Sequence, residues 1–387
     1  MKKILSILLA ALMVASMPIG VFAAEEPSIS GGEVLTVQTP ENIIEIAQKE
    51  VVTMLASHLE AEAILNAKDG ELDRSVYEHE YSLGNPISVQ ELGGTNRLYE
   101  FPVMMDGRFY AIFIVHYYKD DYNFQLGDYM MADQLQKIKD QGSLQDVEFS
   151  SSEDGFFAIA GGTFYPLTPD SILPDNRSAA NSEEGIKNVT GDYDTVAVNI
   201  SDSLMVIPVS ASVLDERATT SKVLSVASVP QTDDGTFTGT QKNWCGAAVT
   251  AAIINYKKNK SLTAKSVTID ALGSAKNEGI TNSQVVSVAN KYKLYPSAGN
   301  PLSYSSVQTQ INADQPIYMQ MQRTADGGEK VYHALGLIGY SSSDYTVINP
   351  WNKDSYTIKK KDSGSDVTYD APGGKTYTWY KSVSGWK

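Results

Sequence analysis

The stretch Gln241-Lys242-Asn243-Trp244-Cys245-Gly246-Ala247-Ala248, followed by the mostly apolar run Val249 to Tyr256, decides how the rest of the chain is read. Cys245 is the single cysteine among 387 residues, so it cannot be half of an internal disulfide. It stands where a loop hands over to a helix. Ala247, Ala248, Ala251 and Ala252 are strong helix formers, and Asn243 is placed to act as the N-cap. A thiol in the first turn of a helix feels the unpaired backbone N–H groups and the positive end of the macrodipole. That field favours the thiolate, which is the nucleophilic form. A free cysteine is more often a small buried hydrophobe, and the choice between the two readings turns on residues much further along the chain.

From Val229 to the end there is one histidine, His333, in Val331-Tyr332-His333-Ala334-Leu335-Gly336-Leu337-Ile338-Gly339-Tyr340. Asn349 follows in Tyr345-Thr346-Val347-Ile348-Asn349-Pro350-Trp351. Both segments are rich in branched and aromatic residues and read as short strands, separated by the polar turn Ser341-Ser342-Ser343-Asp344. A hairpin of that kind brings His333 and Asn349 side by side. The order is then a nucleophile, a base and a group that orients the base.

Trp-Cys-Gly-Ala-Ala opening a helix, His-Ala-Leu-Gly-Leu-Ile-Gly-Tyr and Asn-Pro-Trp together resemble the papain-like cysteine peptidases, and within them the secreted bacterial staphopain- and streptopain-like branch. The motifs lie between Gln241 and Trp351, and the likeness in layout covers most of Val229 to Lys387. The resemblance implies an α+β catalytic domain of two lobes, one helical and one β, made as a precursor. It also implies that Trp351 shields the His–Asn bond from water, and that a glutamine upstream of the cysteine helps to stabilise the oxyanion. Gln241 is the candidate for that donor, although it precedes Cys245 by four positions and the family usually places it about two residues further upstream.

The N-terminus reads as a cleavable export signal over residues 1–23. Lys2 and Lys3 precede the apolar run Ile4 to Val14, and small residues around Ala23 precede Glu25. The apolar core is too short to span a membrane, so the mature chain is expected outside the cytoplasm, with no membrane association once the signal is removed. A lone thiol in an exported chain, where a stapled fold would carry several cysteines, points to chemistry. Residues 24–40 are a polar lead-in. Residues 41–214 form an acidic α+β module: a helix over Glu41 to Glu62, a hairpin around Asp106-Gly107, a short helix over Met131 to Lys139 and a strand pair around Gly161-Gly162. The resemblance makes this a prosegment that wraps strands around a helix, covers the active-site cleft and acts as an intramolecular inhibitor. An independent binding module sharing the chain is the alternative.

Residues 215–228 are polar and small, without a clear period, and are expected to be the activation linker ahead of a catalytic domain over residues 229–387. Charge divides at the same place. Residues 1–228 hold 14 basic and 34 acidic side chains, residues 229–387 hold 17 and 12, which suits docking of an acidic part on a mildly basic one. His58 and His79 have no partner motif and receive no role. His116, in an aromatic strand, reads as a satisfied core histidine.

In the catalytic part helices come first (the Cys245 helix, Asn282 to Lys293, Tyr304 to Asn312), then strands from Gln315 onward, so nucleophile and base meet at the seam of an α+β fold. His333 would take the proton of Cys245 and return it to the leaving amine. The resting pair is expected to be thiolate–imidazolium, with Asn349 accepting a hydrogen bond from the ring. The substrates implied are proteins or peptides. Three readings stay open: a secreted endopeptidase made as a precursor, a cell-wall amidase or endopeptidase using the same Cys/His pair, and a non-catalytic binding protein with a vestigial site. There is no nucleic-acid footprint, no cofactor signature and no metal-ligand spacing.

Overall fold

Ala47, Val51, Met54, Leu55, Leu59 and Ala63 recur at three- and four-residue steps and are all buried, which makes α1 (Glu41–Leu65) an amphipathic helix with one committed face. Each of the larger of these side chains contributes about 1.5–3 kcal/mol by leaving water. The computed structural model describes residues 41–387 apart from 70, 92–96, 143–146, 153–154, 168–195, 198–202, 210–220, 237–242, 326, 352–353 and 372–374. The expected signal and lead-in, residues 215–220 of the expected linker and Gln241 therefore lie outside the described residues.

After α1 come β1 (Tyr81–Gly84), β2 (Ser88–Glu91), β3 (Arg97–Met105), β4 (Arg108–Tyr118) and β5 (Asp121–Gly127), then α2 (Tyr129–Asp140). A second group follows: β6 (Glu148–Ser152), β7 (Gly155–Ala160), β8 (Thr163–Pro166), β9 (Val196–Ala197) and β10 (Ser203–Ile207). The β3–β4 hairpin turns on Asp106 and Gly107, both at positive φ (50° and 74°), as a tight two-residue turn with right-handed strand twist requires. One apolar core lies between α1 and β1, β3, β4, β5 and β10. Another lies under α2, against β4, β6 and β7.

The C-terminal part runs β11 (Lys222–Val223), α3 (Cys245–Lys258), α4 (Ala264–Leu272), α5 (Asn282–Lys291), β12 (Ser297–Gly299) and α6 (Tyr304–Asn312). It continues through β13 (Ile317–Thr324), β14 (Lys330–Tyr340), β15 (Asp344–Ile348), β16 (Ser355–Lys359), β17 (Thr368–Ala371) and β18 (Lys375–Ser384). Helix α4 was not read from the sequence. It starts on a Thr263–Ser266 capping box, in which serine stands where the usual signature has Glu or Gln. Two cores serve this part. One is built from α3, α4 and α5 with Tyr318, Ala334 and Trp386, the other from β13 to β18 with α6, Leu224 and Val226.

The two parts, expected as separate domains, share one antiparallel sheet and fall in one compact unit. The sheet runs β10-β1-β3-β4-β5-β16-β15-β14-β13-β18-β12, and the join is Thr357 opposite Leu126 and Ile358 opposite Gln125. Gly127 is needed at the end of β5, because a Cβ there would run into the ring of Tyr356. The bonds joining the two parts run along β15, β16 and β17. Ser57 Oγ donates to Asp344 Oδ2 at 3.0 Å, His58 Nδ1 meets Thr357 Oγ1 at 3.3 Å, and Lys361 pairs with Asp121 at 2.5 Å. The acidic-on-basic docking expected from composition is thus present at Asp121, but buried polar bonds and strand pairing carry more of the contact.

The described end of the expected linker differs from expectation. Lys222 and Val223 pair with Tyr340 and Gly339 of β14, the Leu224 N–H donates to the Ile338 carbonyl at 2.9 Å, and Leu224 and Val226 are core residues. The small-residue composition of Ser221 to Ser228 hid two apolar side chains two positions apart, which is strand spacing.

Candidate active site

Cys245 is the first residue of α3. Its N-cap is Trp244, which makes no side-chain capping bond. This corrects the expectation for Asn243, whose N–H instead donates to Asn277 Oδ1 at 2.8 Å. Trp244 is anchored by burial and by its indole N–H on the Lys276 carbonyl at 2.7 Å. The helix start is therefore fixed from behind, and the N-cap side chain does not compete for its leading N–H groups. The backbone N–H groups of Ala334, Gly246 and Cys245 itself act on the thiol in favour of its charged form. The first of these sets the thiol near the peptide group joining His333 to Ala334.

Gly246 has a steric reason. A Cβ there would lie 2.8 Å from the Tyr318 hydroxyl and 3.2 Å from Ile280 Cγ1. Tyr318 is buried on β13 beneath the start of α3, close enough to Cys245 for a thiolate there to help push the phenol further up, although burial is the larger cause. The thiol departs from expectation. Burial pushes it up, and the three N–H donors offset that only in part. Desolvation of a charged sulfur outweighs these backbone donors in this arrangement.

His333 lies on β14 and is 4% exposed. Its Nε2 faces Asn349 Oδ1 at 3.1 Å. Trp351 covers the ring, centroid to centroid 4.5 Å at 34°, and Tyr369 lies stacked on it at 5.9 Å and 26°. Asn349 is wholly buried at the end of β15. Its Oδ1 also accepts the Trp351 N–H at 3.2 Å, and its Nδ2 donates to the Tyr369 hydroxyl at 2.7 Å. The amide oxygen is thus turned toward the imidazole, so Nε2 is the donor and Nδ1 the nitrogen left to accept. The β14–β15 hairpin that makes this meeting possible is the one expected, with Gly336 opposite Ile348.

Residues 223–376 match the model of the Peptidase_C39 like family, a stretch that contains Cys245, His333 and Asn349. The protein is a cysteine peptidase. The matched region of this peptidase begins at Val223, where β11 joins β14, and so takes in Leu224 and Val226. Among solved structures one assigned as a C39-like peptidase from Bacillus anthracis aligns at 10% identity and a TM-score of 0.24, covering 36% of this chain and 94% of that one. That likeness is too weak to support any inference. No curated protein matches the chain.

Sequence reasoning missed several residues around the site of the peptidase. Tyr369 sits on a four-residue strand just before the Pro-Gly-Gly run, too short to show a period. The Ala334 N–H could not be anticipated, since any residue after His333 would supply it. His116, read as a satisfied core histidine, is buried but satisfied on one nitrogen: Nδ1 faces Asp370 Oδ1 at 2.9 Å, while Nε2 has no hydrogen-bond partner among the described residues. Its partner, however, belongs to the C-terminal part. His58, given no role, is buried where the two parts meet, between Tyr129 and Thr357.

Among the described residues no helix is long and apolar enough to cross a membrane.

Proposed function

We propose that this chain is the precursor of an exported endopeptidase in which Cys245 attacks the scissile carbonyl, His333 moves the proton and Asn349 holds the ring. The observation that carries this reading is the Asn349–His333 bond on the strand whose Ala334 N–H acts on the Cys245 thiol at the start of α3. His333 Nδ1 takes the thiol proton, and the sulfur adds to the carbonyl carbon. The resulting oxyanion is met by the Cys245 N–H and, on the same reading, the Gln241 side chain. Collapse of the intermediate breaks the C–N bond, and His333 gives its proton to the departing amine. Water then enters with His333 as base, and the acyl–sulfur bond breaks to release the acid.

The papain-like two-lobed arrangement is supported by two cores meeting along α3 and β13–β14. A staphopain- or streptopain-like precursor is supported by an N-terminal part that adds a strand to the catalytic sheet. Activating cleavage on this reading falls before Lys222, since a later cut would remove Leu224 and Val226 from the core.

The test is expression of wild-type chain and Cys245→Ala, followed by N-terminal sequencing and by zymography on casein and on purified cell walls. Self-processing ahead of Lys222 and casein clearing by the wild type alone is the expected result. Clearing of cell walls only would make the protein a wall hydrolase, and equal behaviour of both chains would make the site vestigial.

A further inference from the structure

Arg323, half-buried on β13, makes no ion pair among the described residues. Its Nε is enclosed with no hydrogen-bond partner among them, and its guanidinium lies against Tyr377 of β18, Cζ 5.5 Å from the ring centroid. Withdrawing a cation from water costs free energy that one aromatic face offsets only in part. A guanidinium held in this way still presents a planar fork of donors, the shape that a carboxylate accepts on both oxygens.

The register puts this cation on the face of the sheet that carries His333. Met321 stands opposite His333 and Arg323 opposite Val331, and residues two apart along a strand point the same way. The Tyr377 ring neighbours both, its centroid 6.0 Å from that of His333. Tyr318 and Ala334, further back on the same two strands, pack with α3. The path from them through His333 to Arg323 therefore leads away from the body of that helix. On the peptidase reading His333 gives its proton to the departing amine, so the substrate residues that follow the scissile bond lie beside and past the imidazole. We propose that Arg323 is a specificity-determining residue on this leaving-group side, pairing with a substrate carboxylate one or two residues beyond the scissile bond.

That carboxylate is the side chain of Asp or Glu, or the free end of a chain. The inference rests on the peptidase reading given above and deepens it. Arg323, Tyr377 and His333 all lie on strands of the C-terminal part, so the arrangement stays with the enzyme when the N-terminal part is removed. The chain itself carries a matching stretch. Between Val209 and Lys222, where the same reading puts the activating cut, the acidic residues are Asp215 and Glu216.

The test is digestion of a mixed peptide library by the self-processed wild type, with sequencing of the products. Asp, Glu or a free chain end should be enriched at the first or second leaving-group position. Enrichment at internal Asp and Glu would show side-chain recognition, and enrichment at chain ends would show recognition of the terminus; either supports the inference. Arg323→Gln should lose the enrichment while still cutting other peptides, and Arg323→Glu should turn it toward Lys and Arg. Within one cleaved sequence, changing the recognised Glu to Gln should lower kcat/KM roughly tenfold in the wild type, the scale of one charge-assisted pair, and less than about twofold in Arg323→Gln. No acidic enrichment in the wild type, a result that needs no variant to fold, would overturn the inference, as would the same enrichment in Arg323→Gln. Failure of the wild type to cut any peptide, or equal cutting by Cys245→Ala, would instead overturn the peptidase reading beneath it.

Discussion

Two histidines of one sheet face a side-chain oxygen through one ring nitrogen, His116 toward Asp370 at 2.9 Å and His333 toward Asn349 at 3.1 Å. Both are buried, and both lie on central strands. His116 faces a carboxylate, and its Nε2 is enclosed with no hydrogen-bond partner among the described residues. His333 faces a neutral amide, and the Cys245 thiol lies near its own peptide bond. A carboxylate fixes charge on one side of the pair and makes it a fastening. An amide orients a ring without holding a proton on it, which suits a group that must take a proton up and give it back. Burial and a good hydrogen bond are common to both, so neither marks a catalytic histidine. On the proposed reading, the charge of the partner and the nucleophile alongside do.

The sharpest way to break this contrast is to delete each ring. His333→Ala should lower peptide cleavage by about 10³-fold or more, with a urea midpoint close to that of the parent. His116→Ala, made in a Cys245→Ala chain to prevent self-cleavage, should cost about 3–5 kcal/mol in urea unfolding, because the Asp370 carboxylate is left buried and unpaired. A His116 variant that keeps its stability and loses activity would erase the distinction. Leu224→Ala sharpens it from the side of the chain boundary. About 3 kcal/mol of destabilisation is expected if residues 221–228 belong to the catalytic core, and almost none if they are a linker.

The smallest effect concerns pH. Because burial holds the Cys245 thiol above its ordinary range, alkylation by iodoacetamide should still be accelerating in the intact chain as pH passes the normal thiol value. A folded-state value above the unfolded one gives stability that is full below the unfolded value and lost as pH rises through the folded one. The unfolding midpoint should therefore fall slightly over the same alkaline window in the wild type and not in Cys245→Ala. A plateau in alkylation below neutrality would show that the helix-terminal field wins after all.

What could be read from the sequence follows from locality. The Asp106-Gly107 turn, the face of α1 and the β14–β15 hairpin are each written within a few residues, and each formed as expected. The pairing of Leu126 with Thr357 joins residues more than two hundred positions apart, and nothing in Asp121–Gly127 says which strand edge it will meet. The same distance hid the hold of His116 and Gln125 on Asp370. At the candidate site, the helix start at Cys245 and the hairpin that sets His333 beside Asn349 were legible because each setting is local. Asn243 failed as a cap because Asn277, brought in by the loop before α5, offered its backbone a different partner. The thiol's direction of shift was also out of reach, since desolvation depends on everything folded around the sulfur.

The seam between β5 and β16 has a consequence for life after cleavage. A peptidase that let go of its N-terminal portion would bare Ser355–Lys359 as a raw ladder of amide groups, the kind of border along which molecules stick to one another. Lys359 and Lys361 sit along that border, where they are occupied by the Tyr122 carbonyl and by Asp121. Stripped of those companions they would become like charges that keep two freed copies apart.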